Sequence, residues 1–292
     1  MIRSILVGLD GSAHSWAALA GAVELAQWHG ARLELAVASD HDPAAHIELQ
    51  PSAALSGGLT SDLRLTLEPE PPAETEEDEE AVSAGAAGDP HLAAAIEVCR
   101  EQRLPWVARR MEGLAAERLV QRAPAVDLVA VGRRGTSYRR GQAGVGACVR
   151  SLLTSQARAV FIATEAHEPT GGIVVICDGR DPSLRALSWA CATAAVSDLP
   201  LRVMVSGSDE SGLTTVLRQA RAYLRPYRLK DPFVGPVREG QALPAMLRGR
   251  RADELAVLGP STPTGWGLAA WLGRNALVAA VAESRAPVVV VK

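Results

Sequence analysis

An apolar run ending in Asp-Gly opens this chain and returns near its middle, and this repeat constrains the fold more than any other feature. Residues 5–12 read ILVGLDGS, and residues 173–179 read IVVICDG. Two further segments recur in the same order, residues 127–132 as residues 253–259 and residues 159–163 as residues 286–292. Ordered recurrence of this kind predicts two copies of one domain.

Within each copy, short β-branched apolar runs alternate with stretches of helical pattern. This alternation predicts the α/β class: two tandem domains, each a five-stranded parallel sheet with helices on both faces. We place the first domain at residues 1–166 and the second at residues 167–292. Ser12 is the expected start of the first helix and Gly30 its end, while Asp89 followed by proline predicts a second helix start.

The first copy carries an insertion of about fifty residues, near positions 40–88, that has no counterpart in the second. Residues 68–80 hold eight acidic side chains and no basic ones, and two adjacent prolines interrupt the segment. Such a composition is typical of a solvated, self-repelling segment. His41 and His46 beside two aspartates raise the alternative of a metal site, but loop polarity explains them better, and we predict no metal.

The composition excludes several classes of protein. The net charge is −3, and the chain has only two Phe and three Tyr. The sequence contains no basic helix with interleaved aromatic residues, so we predict no nucleic-acid binding. Residues 255–273 lack charges, but glycine, proline and hydroxyl residues interrupt them, so we expect no membrane span. The first apolar run is interrupted by Gly8 and Asp10, so we expect no secretory signal there. The four cysteines lack metal or redox spacing, which favours a reducing, cytoplasmic location.

Two loops at the carboxyl ends of predicted strands are the expected ligand site, because parallel sheets bind ligands at that edge. The first loop is Asp10-Gly11-Ser12. The second runs from Gly132 to Gly146 and holds five glycines in fifteen residues, followed by a helix whose N-terminus favours an anion. Four arginines add cationic donors: Arg133, Arg134, Arg139 and Arg140. Asp10 as a simple turn residue and the arginines as a solvated loop remain the alternatives.

Asp-Gly-Ser after the first strand, together with Gly-x-x-Gly after the fourth, resembles the universal stress protein family. The resemblance implies the strand order 3-2-1-4-5 in each domain and a site for ATP or AMP, with Mg²⁺ only if ATP is the ligand. It further implies that Asp10 lies by the adenosine, that Val7 and Val37 border the base, and that three glycines surround the ribose and phosphates: Gly132, Gly135 and Gly146.

The match to the family signature is incomplete in both copies. Ten residues separate Gly135 from Gly146 instead of nine, and Ala147 replaces a hydroxyl residue. Thr136, Ser137 or an arginine would compensate, so we expect a weakened site in the first domain. In the second domain Pro260 follows Gly259, the next loop glycine is missing, and we expect a degenerate site.

Together with the composition, the resemblance implies a cytoplasmic stress-response protein, a nucleotide-binding sensor or regulator that acts through an unknown protein partner. The alternative is an interaction or scaffold protein of the same fold that binds no nucleotide. We expect no catalytic residues and slow ATP hydrolysis at most, since no Walker motif or catalytic triad is present. We interpret His14 as an exposed first-turn residue. The last strands of the two domains, near residues 159–163 and 288–291, are expected to pair antiparallel within the chain, and self-association through these strands is a further expectation.

Overall fold

A computed structural model of the chain describes residues 2–39, 89–136, 144–207, 209–237, 243–260 and 269–292. The predictions for the acidic insertion, for its two histidines and for Ser137, Arg139 and Arg140 lie outside these residues. The described residues of the first half form five strands and four helices, in the order β1 (Ser4–Leu9), α1 (Ala13–His29), β2 (Arg32–Ser39), α2 (Pro90–Glu101), β3 (Trp106–Glu112), α3 (Ala115–Arg122), β4 (Leu128–Gly132), α4 (Ala147–Thr154) and β5 (Ala159–Ala163).

The second half repeats the same alternation. Its described elements are β6 (Gly172–Cys177), α5 (Asp181–Ser197), β7 (Leu201–Val205), α6 (Glu210–Leu224), β8 (Phe233–Pro236), α7 (Leu243–Arg248), β9 (Glu254–Leu258), α8 (Ala269–Glu283) and β10 (Val288–Val291). The predicted helix ends are confirmed where capping residues marked them. The Ser12 hydroxyl accepts from the Ser15 amide at 3.1 Å, and Gly30 ends α1 with φ +65°. The Asp89 carboxylate accepts from two amides at the start of α2.

All strands pair in one sheet of order β3-β2-β1-β4-β5-β10-β9-β6-β7-β8. The predicted order 3-2-1-4-5 is present in the first half, and the second half has the equivalent order. Pairing is parallel within each half and antiparallel between β5 and β10, where Val289 lies opposite Phe161 and Val290 opposite Val160. The expected pairing of the last strands within the chain is therefore confirmed, and it joins the two sheets into one.

The hydrophobic core has one layer on each face of this sheet, and each layer contains residues of both halves. The β5 side chains are buried throughout, as are those of β10. Phe161 is 2% exposed and packs under α1, where a Cβ on Gly21 would lie 2.4 Å from the Phe161 ring. Gly21 thus lets α1 approach the strand that joins the halves.

Polar contacts also cross the junction between the halves. The His29 ring at the end of α1 lies 3.2 Å from the Thr193 hydroxyl of α5. The Glu24 carboxylate accepts from the backbone and hydroxyl of Thr170 at 2.9 and 2.7 Å, and it lies 3.3 Å from the His167 ring. Burial of the Glu24 carboxyl opposes ionisation, but the donors on His167 and Thr170 outweigh it and lower the pKa of Glu24. These contacts fix the linker against the first half.

A buried charge cluster supports the outer part of the first half. The Glu34 side chain on β2 is 6% exposed and accepts two hydrogen bonds from Arg122 at 2.7 and 3.0 Å, with Arg109 of β3 at 2.9 Å. A buried carboxylate is tolerated only when it is paired in this way. The cluster ties α3 to the sheet near its β3 edge.

The His29 contact predicts an acid-sensitive junction. Burial lowers the pKa of His29 from 6.5 to about 4. The unfolded chain therefore takes up this proton first, and stability is lost as the pH falls from about 6.5 towards 4. We expect His29→Gln, which keeps a hydrogen-bonding group, to reduce the loss of unfolding free energy between pH 7 and pH 5 by about 1–2 kcal/mol. Urea denaturation at both pH values measures this difference, and identical pH dependence of the two proteins would contradict the assignment.

Candidate functional site

The carboxyl ends of β1 and β4 bring the two predicted loops together around Asp10. One oxygen of the Asp10 carboxylate accepts from the Ser12 amide at 3.0 Å and from the Ser12 hydroxyl at 2.6 Å. The other oxygen accepts from the Thr136 amide at 2.9 Å, so it holds the glycine loop that follows β4. Asp10 is thus both a turn residue and the link between the two loops.

The charge state of Asp10 follows from these contacts. Partial burial by itself raises the pKa of the carboxyl, but hydrogen bonds donated by Ser12, Thr136 and Ser15 outweigh it and hold the pKa below its ordinary value. The Asp10 carboxylate is therefore ionised at neutral pH. Any ligand at this edge meets a fixed negative charge beside the loop amides.

The glycines of the site are required by close packing. A Cβ on Gly132 would lie 2.7 Å from the backbone carbon of His14, and a Cβ on Gly135 would lie 2.6 Å from the Asp10 carboxylate. Gly11 has φ +76°, a conformation that other residues rarely adopt, and a Cβ there would lie 2.4 Å from the His91 ring. Gly146 is different, because the nearest atom to its Cβ position is 3.6 Å away.

The start of α4 lies beside the glycine loop, as the sequence predicts. Gly146 is the residue before the helix, and no side chain caps the first turn. The Gly146 amide donates to the Arg133 carbonyl at 2.9 Å, so that amide is used within the protein. Ala147, the first helical residue, is exposed. The positive end of the helix dipole therefore faces this edge without a side-chain acceptor.

The Arg133 side chain extends from the glycine loop to the opposite half of the chain. Its guanidinium donates to the carbonyl of Ser284 at 2.5 Å and lies 3.5 Å from that of Val281, at the end of α8 in the other half. The carbonyls of a helix end carry partial negative charge, which attracts the cation. The guanidinium is therefore engaged at the end of α8, and a contact between Arg133 and a ligand stays a prediction.

The two valines predicted to border a base lie in the core. Val7 is fully buried and Val37 is 6% exposed, and both belong to the apolar layer on the α1 side of the sheet. Val7 precedes the end of β1 by two residues, so it presents no surface at the carboxyl edge. A base contact by Val37, which lies closer to the end of β2, stays a prediction.

Several neighbours of the site were missed from the sequence. The His91 ring covers Gly11 and makes an edge contact with Trp16, with 6.3 Å between ring centroids. His14, interpreted as exposed, is in fact 9% exposed, because α1 packs its first turn against Gly132. Burial is the main cause of the lowered pKa of His14, and the nearby arginines lower it further. The acidic insertion separates His91 from Gly11 in sequence, so no local pattern signals their contact.

The second half keeps the same turn around Asp178. Gly179 has φ +80°, and the Arg180 amide donates to the Asp178 carboxylate at 3.0 Å, as the Ser12 amide does to Asp10. The Ser183 hydroxyl accepts from the Asp178 amide at 3.2 Å, as the Ser15 hydroxyl does from Asp10. The second oxygen of Asp178 differs, because no described residue donates a hydrogen bond to it.

Two of the cavities formed by the described residues lie outside the loop pair, although Arg133 lines the second. One of about 280 Å³ is at the amino ends of β6–β9 around Phe233, and one of about 450 Å³ lies between the linker and the end of α8. Neither is lined by Asp10 or by the loop glycines. In the described residues, no group of three or more His, Cys, Asp or Glu side chains could hold a metal ion. No helix within the described ranges is long and apolar enough to span a membrane.

A parallel α/β sheet with a glycine-lined loop at its carboxyl edge defines a class of ligand-binding folds, and comparison with known proteins places the chain within it. Residues 1–154 match the model of the universal stress protein family. The chain therefore belongs to the universal stress protein family. No curated protein sequence matches it significantly.

Solved structures share the fold over nearly the whole chain. A universal stress protein from Archaeoglobus fulgidus is 13% identical with a TM-score of 0.62, covering 99% of this chain and 98% of its own. A putative universal stress protein from Pseudomonas aeruginosa is 18% identical with a TM-score of 0.57, and the match covers 100% of this chain and 93% of that protein's chain. The cytoplasmic domain of a prokaryotic cation chloride cotransporter is 9% identical with a TM-score of 0.54, covering 99% and 95%. At such identities the likeness concerns the fold alone.

The packing of the loop glycines predicts unequal tolerance to substitution. Gly132→Ala places a methyl group against the α1 backbone, so we expect a loss of about 1–3 kcal/mol in unfolding free energy. Gly146→Ala is the matched control. Its φ of −66° suits alanine and its Cβ meets no atom closer than 3.6 Å, so we expect a change within about 0.5 kcal/mol. Chemical denaturation measures both, and an equal loss in the two variants would contradict the packing described.

Proposed function

We propose that the first half binds an adenine nucleotide, ATP or AMP, at the carboxyl ends of β1 and β4. On this proposal the protein acts as a nucleotide-dependent sensor or regulator in a stress response. The observation that carries the proposal is the loop pair itself. The surroundings of the ionised Asp10 carboxylate have no room for a side chain at three positions, Gly11, Gly132 and Gly135. Membership of the universal stress protein family supports the same interpretation.

The proposed roles of the site residues follow their positions. Asp10 and the Gly11-Ser12 turn would contact the adenosine part, with Val37 behind the base. The loop from Gly132 to Thr136 and the start of α4 at Gly146 and Ala147 would face the ribose and phosphates, because a helix N-terminus favours anions. Gly132, Gly135 and Gly146 keep that surface free of side chains.

Several features support a weakened site. Ala147 offers no hydroxyl, which removes about 0.5–1.5 kcal/mol of interaction with a phosphate. The Gly146 amide and the Arg133 guanidinium already have partners within the protein. Mg²⁺ would accompany the ligand only if that ligand is ATP, and slow hydrolysis is the most we expect. A cytoplasmic location remains a prediction from composition.

We propose that the second half, residues 167–292, has lost the nucleotide site while the first, residues 1–166, retains it. Arg180 stands where the first half has Ser12, and Pro260 follows Gly259. A Cβ on Gly259 would lie 2.4 Å from the Pro182 carbonyl, and one on Gly132 would lie 2.7 Å from the His14 backbone carbon, so this packing is common to both halves and the difference lies in the loop residues. The conserved geometry of the Asp178 turn is then structural.

A second function, interaction with a protein partner without nucleotide, is favoured by one observation. Both oxygens of Asp10 already accept hydrogen bonds from the protein, and the Thr136 amide closes the glycine loop onto them. A ligand that uses Asp10 must displace this amide. If it cannot, the fold would serve as a scaffold, with an unidentified protein partner or further self-association.

Matched substitutions in the two halves test nucleotide binding. We expect wild-type protein to bind ATP or AMP in isothermal titration, and Asp10→Asn to weaken binding by about tenfold or more, because a charged acceptor is lost. Asp178→Asn, at the equivalent turn, should leave the affinity unchanged. Gly135→Asp should abolish binding, since its carboxylate would enter the loop beside Asp10.

Two results would contradict the proposal. One is the absence of any titration signal with wild-type protein that is folded by circular dichroism. The other is an equal effect of Asp10→Asn and Asp178→Asn. Mass analysis of protein denatured directly after purification provides an independent measurement, because ATP or AMP retained from cells would be released and identified.

A further inference from the structure

Two cations cross the junction between the halves and bind helix ends on the opposite side. The Arg133 guanidinium of the first half donates to the Ser284 carbonyl, just beyond the end of α8. The Lys292 ammonium, after β10, donates to the carbonyls of Leu152 and Ser155 at 2.7 and 2.6 Å, at the end of α4. Helices α4 and α8 each precede the last strand of their half, so the two helix ends are equivalent, although the cations follow different strands, β4 and β10.

Both contacts satisfy the same physical need. The last carbonyls of an α-helix have no partner within the helix and carry partial negative charge. A serine follows each helix at the same place, and both serines use their hydroxyls locally: Ser155 donates to the Leu152 carbonyl at 2.9 Å and Ser284 to the Ala286 carbonyl at 2.7 Å. A cation from the opposite half then completes each helix end.

The backbones of the two cationic residues make different contacts. Lys292 follows β10, the strand that pairs with β5, and its amide donates to the Arg158 carbonyl. Arg133 lies inside the glycine loop, between Gly132 and Gly135. Its amide donates to the Ala163 carbonyl at 2.9 Å, and its carbonyl accepts from the Gly146 amide at 2.9 Å. One residue thus connects β5, the start of α4 and, through its side chain, α8 of the other half.

We propose that Arg133 is a positioning residue through which the second half holds the glycine loop of the first half in its ligand-binding shape. The anchored guanidinium fixes the Arg133 backbone, which in turn fixes Gly146 on one side and Thr136, three residues along, on the other. The proposal rests on the proposed nucleotide function for its ligand, an adenine nucleotide. Its structural part, support of the loop by α8, is independent of that ligand.

Hydrogen–deuterium exchange of the ligand-free protein tests the structural part. In Arg133→Met we expect the segment containing Thr136 to exchange about tenfold faster than in wild type. The reason is that a hydrogen bond from a charged group no longer opposes local opening of this segment. Arg133→Lys retains a cation at the α8 end and should restore most of the protection. Lys292→Met is the matched control. It should accelerate exchange in the last turn of α4 and change the Thr136 segment less than about twofold.

Titration with ATP tests the link to the ligand. We expect Arg133→Met to bind about tenfold more weakly than wild type, Arg133→Lys to recover most of the affinity, and Lys292→Met to bind like wild type. Unchanged exchange at Thr136 in Arg133→Met, or equal acceleration there in Lys292→Met, would overturn the proposal. If Arg133→Met fails to fold, Arg133→Gln replaces it, because glutamine keeps a polar side chain without the charge, and exchange of its Thr136 segment within about twofold of wild type would overturn the proposal. If wild type binds no ATP, the proposed function fails while the exchange result still decides whether α8 supports the loop.

Discussion

The antiparallel pairing of β5 with β10 is the contact on which the rest of the molecule depends. Both strands are apolar at every position, and alone each would leave a sheet edge ready to pair with another chain. Pairing them within one chain removes both edges and orients the halves. The carboxyl ends of the first-half strands then lie beside the amino ends of the second-half strands. That arrangement brings the end of α8 to the loop after β4, where Arg133 meets it.

Much of the fold follows from local patterns in the sequence. The strands are short β-branched runs, and Ser12, Gly30 and Asp89 mark helix ends because their roles as caps are decided by neighbouring residues. Because the sequence repeats, the strands and helices of the second half can be predicted from those of the first. The two halves share one more sequence feature. A serine stands five residues after Asp10 and again after Asp178, and the hydroxyl of each serine accepts a hydrogen bond from the aspartate amide. The spacing alone would have identified this turn.

The parts of the site that could not be predicted depend on long-range packing. The direction of the Arg133 side chain is set by helix carbonyls about 150 residues further along the chain, which no pattern near Arg133 reports. His14 is buried because α1 lies against Gly132, and Gly132 follows a strand formed by distant residues. His91 covers Gly11 only because α2 follows the insertion on that side of the sheet. Val7 was placed at a ligand by resemblance, whereas its position in β1 puts it in the core.

The turn around Asp178 has a different environment from the turn around Asp10. The Asp178 side chain is 8% exposed, and one of its oxygens accepts no hydrogen bond from any described residue. The Arg180 guanidinium lies 3.8 Å from this oxygen, so an ion pair stands where the first half has the Thr136 amide. The second half is joined to the first through the β5–β10 pair and through the contact of Arg133 with the end of α8. The first half therefore depends on the last strand of the second half and on the end of its last helix, whether or not the second half binds a ligand.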